Sequence, residues 1–287
     1  MSDYASILGG NAPDNLIGQR TDLDDVGQDW NAFYSIQTAD VFLDRLDTTG
    51  NTIVDAVGNP GAVRVEVGSG KDAIFTGVGS DSIWAGGGND NVGAGAGNNT
   101  VSGAAGNDMI DSRGGADSLM GGAGLDTITA GAGDDHLTGG SGRDDLFGGA
   151  GADSLFGGSG DDFLRGQTGD DYMVGGSGAD TLLGGADDDT LFGGSGQDVF
   201  AFDDGFGQDV ISDFRGAAGD RITLAKDLND TGIESARDLV AKGMVSGGTT
   251  EAGTKYTLIT IGEDTIRLDK VDQNDFLSNI ESWVKVG

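Results

Sequence analysis

From Val67 to Ala201 the chain writes one nine-residue unit fifteen times without a gap. Typical copies read Gly121-Gly-Ala-Gly-Leu-Asp126-Thr-Ile128-Thr, Gly148-Gly-Ala-Gly-Ala-Asp153-Ser-Leu155-Phe and Gly175-Gly-Ser-Gly-Ala-Asp180-Thr-Leu182-Leu. A short fixed period with constant glycine, aspartate and aliphatic places predicts a stacked solenoid, in which each unit buries its apolar side chain only against its neighbours.

Numbered from one to nine, position four is Gly in fourteen copies, with Asp187 the exception. Position six is Asp in fourteen, with Asn99 the exception, and position eight is always apolar, from Ile74 to Phe200. The glycines permit positive φ and close approach of successive turns. Positions seven to nine carry one constant apolar side chain between two variable ones, the period-two signal of a very short strand with position eight inward. Strand, six-residue turn, strand and turn make a coil of eighteen residues, so fifteen units predict about seven and a half coils.

That geometry stacks position-six aspartates two units apart. Carboxylates at ~5 Å repel by roughly 3 kcal/mol even at an effective dielectric of 20. Such columns need cations between the rungs, and calcium fits because it takes six to eight hard oxygens, whereas magnesium prefers to keep its waters. The expected metal ligands are Asp72, Asp81, Asp90, Asp108, Asp117, Asp126, Asp135, Asp144, Asp153, Asp162, Asp171, Asp180, Asp189 and Asp198.

Charge supports this need. The 287 residues carry a formal net charge of −32, with 56 Gly, 2 Pro and no Cys. Without a cation such a chain has the profile of a disordered one. The repeat block alone holds 21 acidic and 4 basic side chains. The carboxylate surplus argues against nucleic acid as a partner, since phosphate binding needs clustered Lys and Arg. No stretch approaches the ~18 apolar residues of a membrane span. The start, Met1-Ser-Asp-Tyr-Ala-Ser-Ile-Leu, lacks the pattern of a secretory signal.

The unit Gly-Gly-x-Gly-x-Asp-x-(aliphatic)-x resembles the RTX (repeats-in-toxin) nonapeptide of bacterial proteins exported by type I secretion. The segments Gln197-Asp-Val-Phe-Ala-Phe202, Gly207-Gln-Asp-Val-Ile211-Ser-Asp-Phe214 and Gly219-Asp-Arg-Ile222-Thr-Leu224 look like the cap that closes RTX rolls. The resemblance implies an all-β fold, a right-handed parallel β-roll that orders on binding several calcium ions. It also implies a C-terminal secretion signal, the type I machinery as a partner, and an extracellular or cell-surface location. Backbone carbonyls of the glycine turns would complete the calcium shells. Asn99, Arg113 and Gln167 depart from the pattern, and weak or missing sites are expected around Asn99 to Arg113, with tight ones from Asp126 to Asp180.

Three regions are expected: 1–66 as an irregular β-rich N-terminal cap or leading coils, 67–201 as the roll, and 202–287 as an α+β cap with the secretion signal. In the first, Gly9 to Ile17 looks like one degenerate repeat. Short β runs follow at Phe33 to Ile36, Val41 to Leu46, Ile53 to Val57 and Val63 to Val67. The acidic run Asp22, Asp24, Asp25 and Asp29 lacks EF-hand spacing and reads as a solvated face. In the last region, Thr231 with Glu234 forms a capping-box pattern ahead of a helix ended by Gly243, and Asp275 is placed to cap a helix carrying Phe276, Ile280 and Trp283.

Little points to an enzyme. There is no H-E-x-x-H, the sole histidine is His136 inside a repeat, and no G-x-S-x-G elbow appears in a strand–turn–helix context. Tyr172 shares a side of the roll with His136, two coils away at ~10 Å. The even-numbered units place Trp84, Met120, Phe156 and Phe192 in one outward column, beside a largely hydroxyl column that includes Tyr172. This face either packs under a terminal cap, the preferred reading, or binds a cell-surface, glycan or ice partner. The sequence thus describes a secreted calcium-binding structural or interaction protein. A polysaccharide-active lyase or epimerase, or an adhesin using the even-repeat face, is the alternative.

Overall fold

The computed structural model describes residues 32–35, 41–46, 50–226 and 228–287. The degenerate repeat at 9–17 and the acidic run at 22–29 lie outside them. The alternation of apolar and variable residues gives short strands that stack in parallel into two sheets. β1 (Ala32–Ser35), β2 (Val41–Leu46), β3 (Thr52–Asp55) and β4 (Val63–Val67) precede β5 (Ala73–Phe75) and β6 (Ser82–Trp84). Twelve further strands, β7 to β18, fill the span from Asn91 to Ser195. Odd-numbered strands form one sheet and even-numbered strands the other, each neighbour one coil away in sequence. This is a parallel β-roll.

It is longer than the repeats alone predict, with about ten turns. The reason is that flanking segments add rungs to the same sheets. Val54 pairs with Ile74 and Val65 with Ile83 at the front. At the back β19 (Val199–Phe202) pairs with β21 (Arg221–Leu224), and β20 (Gln208–Ile211) continues the even sheet from β18 (Thr190–Ser195). Every position-eight side chain is fully buried, and Val54, Val65, Ile211 and Ile222 extend the same columns. The core is thus two ladders of aliphatics face to face, each rung burying a side chain worth roughly 1.5–3 kcal/mol.

Strands from β7 to β18 run six residues rather than the expected three, from position seven through position three of the next unit. The chain stays extended past position nine, then turns through the position-two glycine. Gly158, with φ 110°, shows why: a Cβ there would strike the carbonyl of Gly140 in the coil before. Where Arg113 occupies position two, the pairing of Asn91–Ala96 with Met109–Gly114 slips by a bulge. Arg113 does not adopt a positive φ and the register gives way, whereas Gln167 at the same position takes φ 88° and keeps its pairing with Gly149 and Gly185.

The even sheet is finished by β24 (Asp264–Asp269), then antiparallel β23 (Lys255–Ile261) and β22 (Val245–Thr249), and β25 (Val284–Val286) ends the odd sheet. Helices α1 (Ala236–Ala241) and α2 (Gln273–Trp283) both start away from the expected caps. Asn229, Asp230 and Gly232 all have positive φ, which excludes a helix beginning at Thr231. Asp238 instead accepts from the Ser235 N–H and hydroxyl. Asp272, not Asp275, caps α2 by accepting from Asn274 N–H at 2.9 Å.

Candidate functional site: two buried carboxylate columns

Each coil turns at position six, and the turn places that aspartate under the backbone of its neighbour. The N–H of Asp126 donates to Asp144 Oδ1 at 2.8 Å, that of Asp144 to Asp162 Oδ1 at 2.8 Å, and that of Asp162 to Asp180 Oδ1 at 2.9 Å. The second column is built alike, with Asp135 on Asp153 at 2.8 Å and Asp153 on Asp171 at 2.8 Å. All fourteen expected aspartates are buried and fall into these two columns.

One oxygen of each is therefore satisfied, and the other is not. In thirteen of the fourteen the Oδ2 atom is buried with no hydrogen-bond partner, Asp117 being the exception. A buried, unpaired carboxylate oxygen carries a heavy desolvation penalty. Accordingly burial, reinforced by neighbouring carboxylates and opposed by the backbone N–H, pushes Asp144 and Asp162 up to about 6, Asp171 and Asp180 to about 7, and Asp189 to about 8.

The orphaned oxygens share a cradle with main-chain carbonyls. A Cβ added to Gly157, at position one, would lie 2.5 Å from Asp162 Oδ2 and 2.6 Å from the Gly175 carbonyl of the next coil. At Gly139 the corresponding distances to Asp144 Oδ2 and Gly157 O are 2.5 and 2.7 Å. A carboxylate and a carbonyl thus line one small space that position-one glycine leaves open. Among the described residues no group of three or more His, Cys, Asp or Glu side chains could hold a metal. A cation here would draw on carbonyls as well as carboxylates, the hard-oxygen mixture that suits calcium.

Sequence reasoning does not single out position one, yet it controls the cradle. It is Gly in every unit from Gly139 to Gly193, and before that Val67, Thr76, Ala85, Ala94, Ser112 and Ala130 interrupt it. At Ser112 a hydroxyl engages the carboxylate oxygen that is left unpartnered in the other units. Its hydroxyl donates to Asp117 Oδ2 at 2.6 Å, and Asn99 Nδ2 donates to Ser112 Oγ at 3.2 Å and to Gly97 O at 2.9 Å. The rung between Asn99 and Asp117 is closed by hydrogen bonds within the protein. Restoring it with Asn99→Asp and Ser112→Gly together is expected to add one bound calcium, counted by native mass spectrometry; an unchanged count would show that the plug is not what excludes the ion.

The column ends also escape sequence reasoning. Asp209 accepts from the Asp189 N–H at 2.9 Å and Asp220 from the Asp198 N–H at 3.3 Å. Their Gly-Gln-Asp-Val-Ile and Gly-Asp-Arg-Ile contexts carry the signal, but offsets of 20 and 22 residues hide it behind the period of eighteen.

On the even outer face, rings stack from coil to coil: His136 to Phe156 at 5.1 Å between centroids, Phe156 to Tyr172 at 6.1 Å, and Tyr172 to Phe192 at 5.4 Å. Phe156 thus stands between His136 and Tyr172, which have no ring contact with each other. Trp84, Met120 and Tyr172 are exposed, Phe156 and Phe192 half-buried. The expected packing beneath a terminal cap is not found among the described residues, because the flanking segments stack on the ends of the sheets rather than across this face. The depression between α1 and α2, lined by Arg237, Val240, Leu277 and Glu281, contains no column aspartate.

A parallel roll of nonapeptides with two internal carboxylate columns defines a class, that of repeat β-solenoids. The family model described as "RTX calcium-binding nonapeptide repeat (4 copies)" matches in overlapping segments from residue 66 to residue 209, just over half of the chain. The chain belongs to this RTX family. No curated protein matches it. Among solved structures, the extracellular lipase LipA from Serratia marcescens aligns at 16% identity with a TM-score of 0.28, over 90% of this chain and 42% of the lipase. The chain therefore spans less than half the length of that protein.

Proposed function

We propose that this chain is a secreted calcium-binding protein whose roll folds on extracellular calcium, serving as a structural or interaction module rather than an enzyme. The observation that carries this reading is the set of buried, unpartnered Oδ2 atoms in the columns. The position-six aspartates, with glycine-turn carbonyls, are the calcium ligands. Where calcium is scarce, carboxylate repulsion keeps the chain unfolded and competent for type I export through its C-terminal region. Outside, weak sites suited to millimolar calcium convert binding energy into folding energy. Calorimetry of the metal-free chain tests this: several calcium ions should bind with coupled folding, while magnesium at equal concentration should give neither. Equal responses to the two metals would overturn it.

The stacked rings favour a second element of the same reading, an adhesive face formed by Trp84, Met120, Phe156, Tyr172 and Phe192. Uncharged outward positions in a chain of net charge −32 suit a cell-surface glycan that stacks on aromatic faces. Tyr172→Ser with Phe192→Ser is expected to abolish glycan retention on an array while leaving the calcium count unchanged. Retention equal to that of the unaltered chain would remove this face from consideration. The alternative, a lyase or epimerase, would need His136 or Tyr172 to act on substrate; the two rings are separated by Phe156, which packs on both.

A further inference from the structure

The two carboxylate columns end differently. In the odd column the last member, Asp220, has both oxygens engaged: Oδ1 accepts from Asp198 N–H at 3.3 Å and Oδ2 from Arg215 N–H at 2.6 Å. The protein closes that column with its own backbone. In the even column the last member is Asp209, at the start of β20. Its Oδ1 accepts from Asp189 N–H at 2.9 Å, but its Oδ2 is buried with no partner. Asp189, one rung before, has an unpartnered Oδ2 as well. Both residues are 1% exposed.

Nothing nearby compensates. The charged neighbours acting on Asp209 are Asp189, Asp188 and Asp264, all carboxylates. Asp188 Oδ1 is occupied by the Gln208 N–H, and Asp264 Oδ2 by Phe206 N–H and Asn229 Nδ2. The next rung offers no counter-charge at this place, since Asp209 is paired with the buried Ile266 of β24. Asp189 and Asp209, on adjacent rungs ~4.8 Å apart, each keep one buried oxygen for which the protein supplies no donor.

We propose that Asp189 and Asp209 hold a further divalent-cation site, lying between the last turn of the repeats and the first non-repeat rung, that fastens the C-terminal sheet to the roll. The inference rests on the calcium-folded reading above and adds a residue outside the fifteen repeats. Its consequence follows from topology. β20 is the link through which β24, β23 and β22 join the even sheet. An ion across Asp189 and Asp209 ties β20 to β18, whose own ladder is short at this junction, with only Thr190–Val210 and Leu191–Ile211 paired. Release of the ion would free the C-terminal sheet before the body of the roll.

Asp209→Asn in the full chain tests this, because the amide oxygen can still accept the Asp189 N–H while the second anionic oxygen is lost. The count by native mass spectrometry should fall by one calcium. Hydrogen exchange in β20 and β24 should quicken by roughly tenfold or more at fixed calcium, with exchange from Leu119 to Leu155 unchanged. Asp220→Asn should leave the count as it was. An unchanged count in Asp209→Asn, or an equal loss in Asp220→Asn, would overturn the site. If Asp209→Asn does not fold, the unaltered chain decides: protection of β20 and β24 must appear only as calcium is added, and protection in metal-free protein sinks the proposal. A chain that binds no calcium at all would instead defeat the broader reading on which the site rests.

Discussion

Metal-free protein at pH 7 is expected to be largely unfolded, and to recover most of its β-structure when acidified to about pH 4 without any metal. The sign follows from the columns. Aspartate carboxyls in an unfolded chain ionise near pH ~3.9. In the roll, burial first, and neighbouring carboxylates second, raise Asp162 to about 6, Asp180 to about 7 and Asp189 to about 8. A group whose pKa is raised by folding stabilises the fold fully below its unfolded value and loses that contribution as pH climbs through the folded one. Every tenfold gain in proton affinity on folding is worth ~1.4 kcal/mol, so a few such carboxyls together outweigh the roughly 5–15 kcal/mol of a typical domain. Protons below pH 4 and calcium above it solve the same electrostatic problem. With calcium bound the dependence reverses, because the ion holds the carboxylates ionised and acid displaces it. Circular dichroism of chelator-treated protein from pH 8 to pH 4 checks this, at low concentration because the sequence pI is about 4.1. A chain equally unfolded at both ends would contradict it.

The second large effect concerns position one. Gly157→Ala should weaken calcium binding at one site and lower calcium-dependent stability by up to about 3 kcal/mol, the linkage energy of a well-saturated site. The new Cβ would stand 2.5 Å from Asp162 Oδ2 and 2.6 Å from Gly175 O, in the space a cation would share with both. The reverse change, Ala130→Gly, opens the cradle beside Asp135, whose Oδ2 is unpartnered. It should cost about 1 kcal/mol in backbone entropy yet raise affinity for calcium. Calcium titrations followed by urea melts separate these outcomes. Equal stability changes with and without calcium would mean that position one serves packing alone.

Much of this fold is written plainly in the chain. The inward column at position eight is legible because alternation has a single physical meaning once the period is fixed, and the strands at Val41–Leu46 and Val63–Val67 follow from the same signal. The roll's extra turns are less visible, since the flanking rungs keep the apolar alternation but not the spacing of nine. The two aspartate columns can be placed from the repeat alone. The role of Gly157 and its counterparts cannot, because the cradle forms between atoms of different coils and a glycine in a turn already has a sufficient local explanation. The Asn99–Ser112–Asp117 plug illustrates the same limit: Asn99 breaks the aspartate pattern, but only the fold brings Ser112 to it. The helix starts mislead because Thr231 and Asp275 satisfy the capping pattern, while the positive φ of Asn229, Asp230 and Gly232 and the nearby Asp272 decide the matter.

The most direct test is far-UV circular dichroism of the metal-free chain at pH 7 titrated with calcium, with magnesium in parallel. A cooperative gain of β-signal with calcium and none with magnesium is the predicted result. A chain already folded without metal at that pH, or indifferent to calcium, would contradict the claim that cations complete the carboxylate columns.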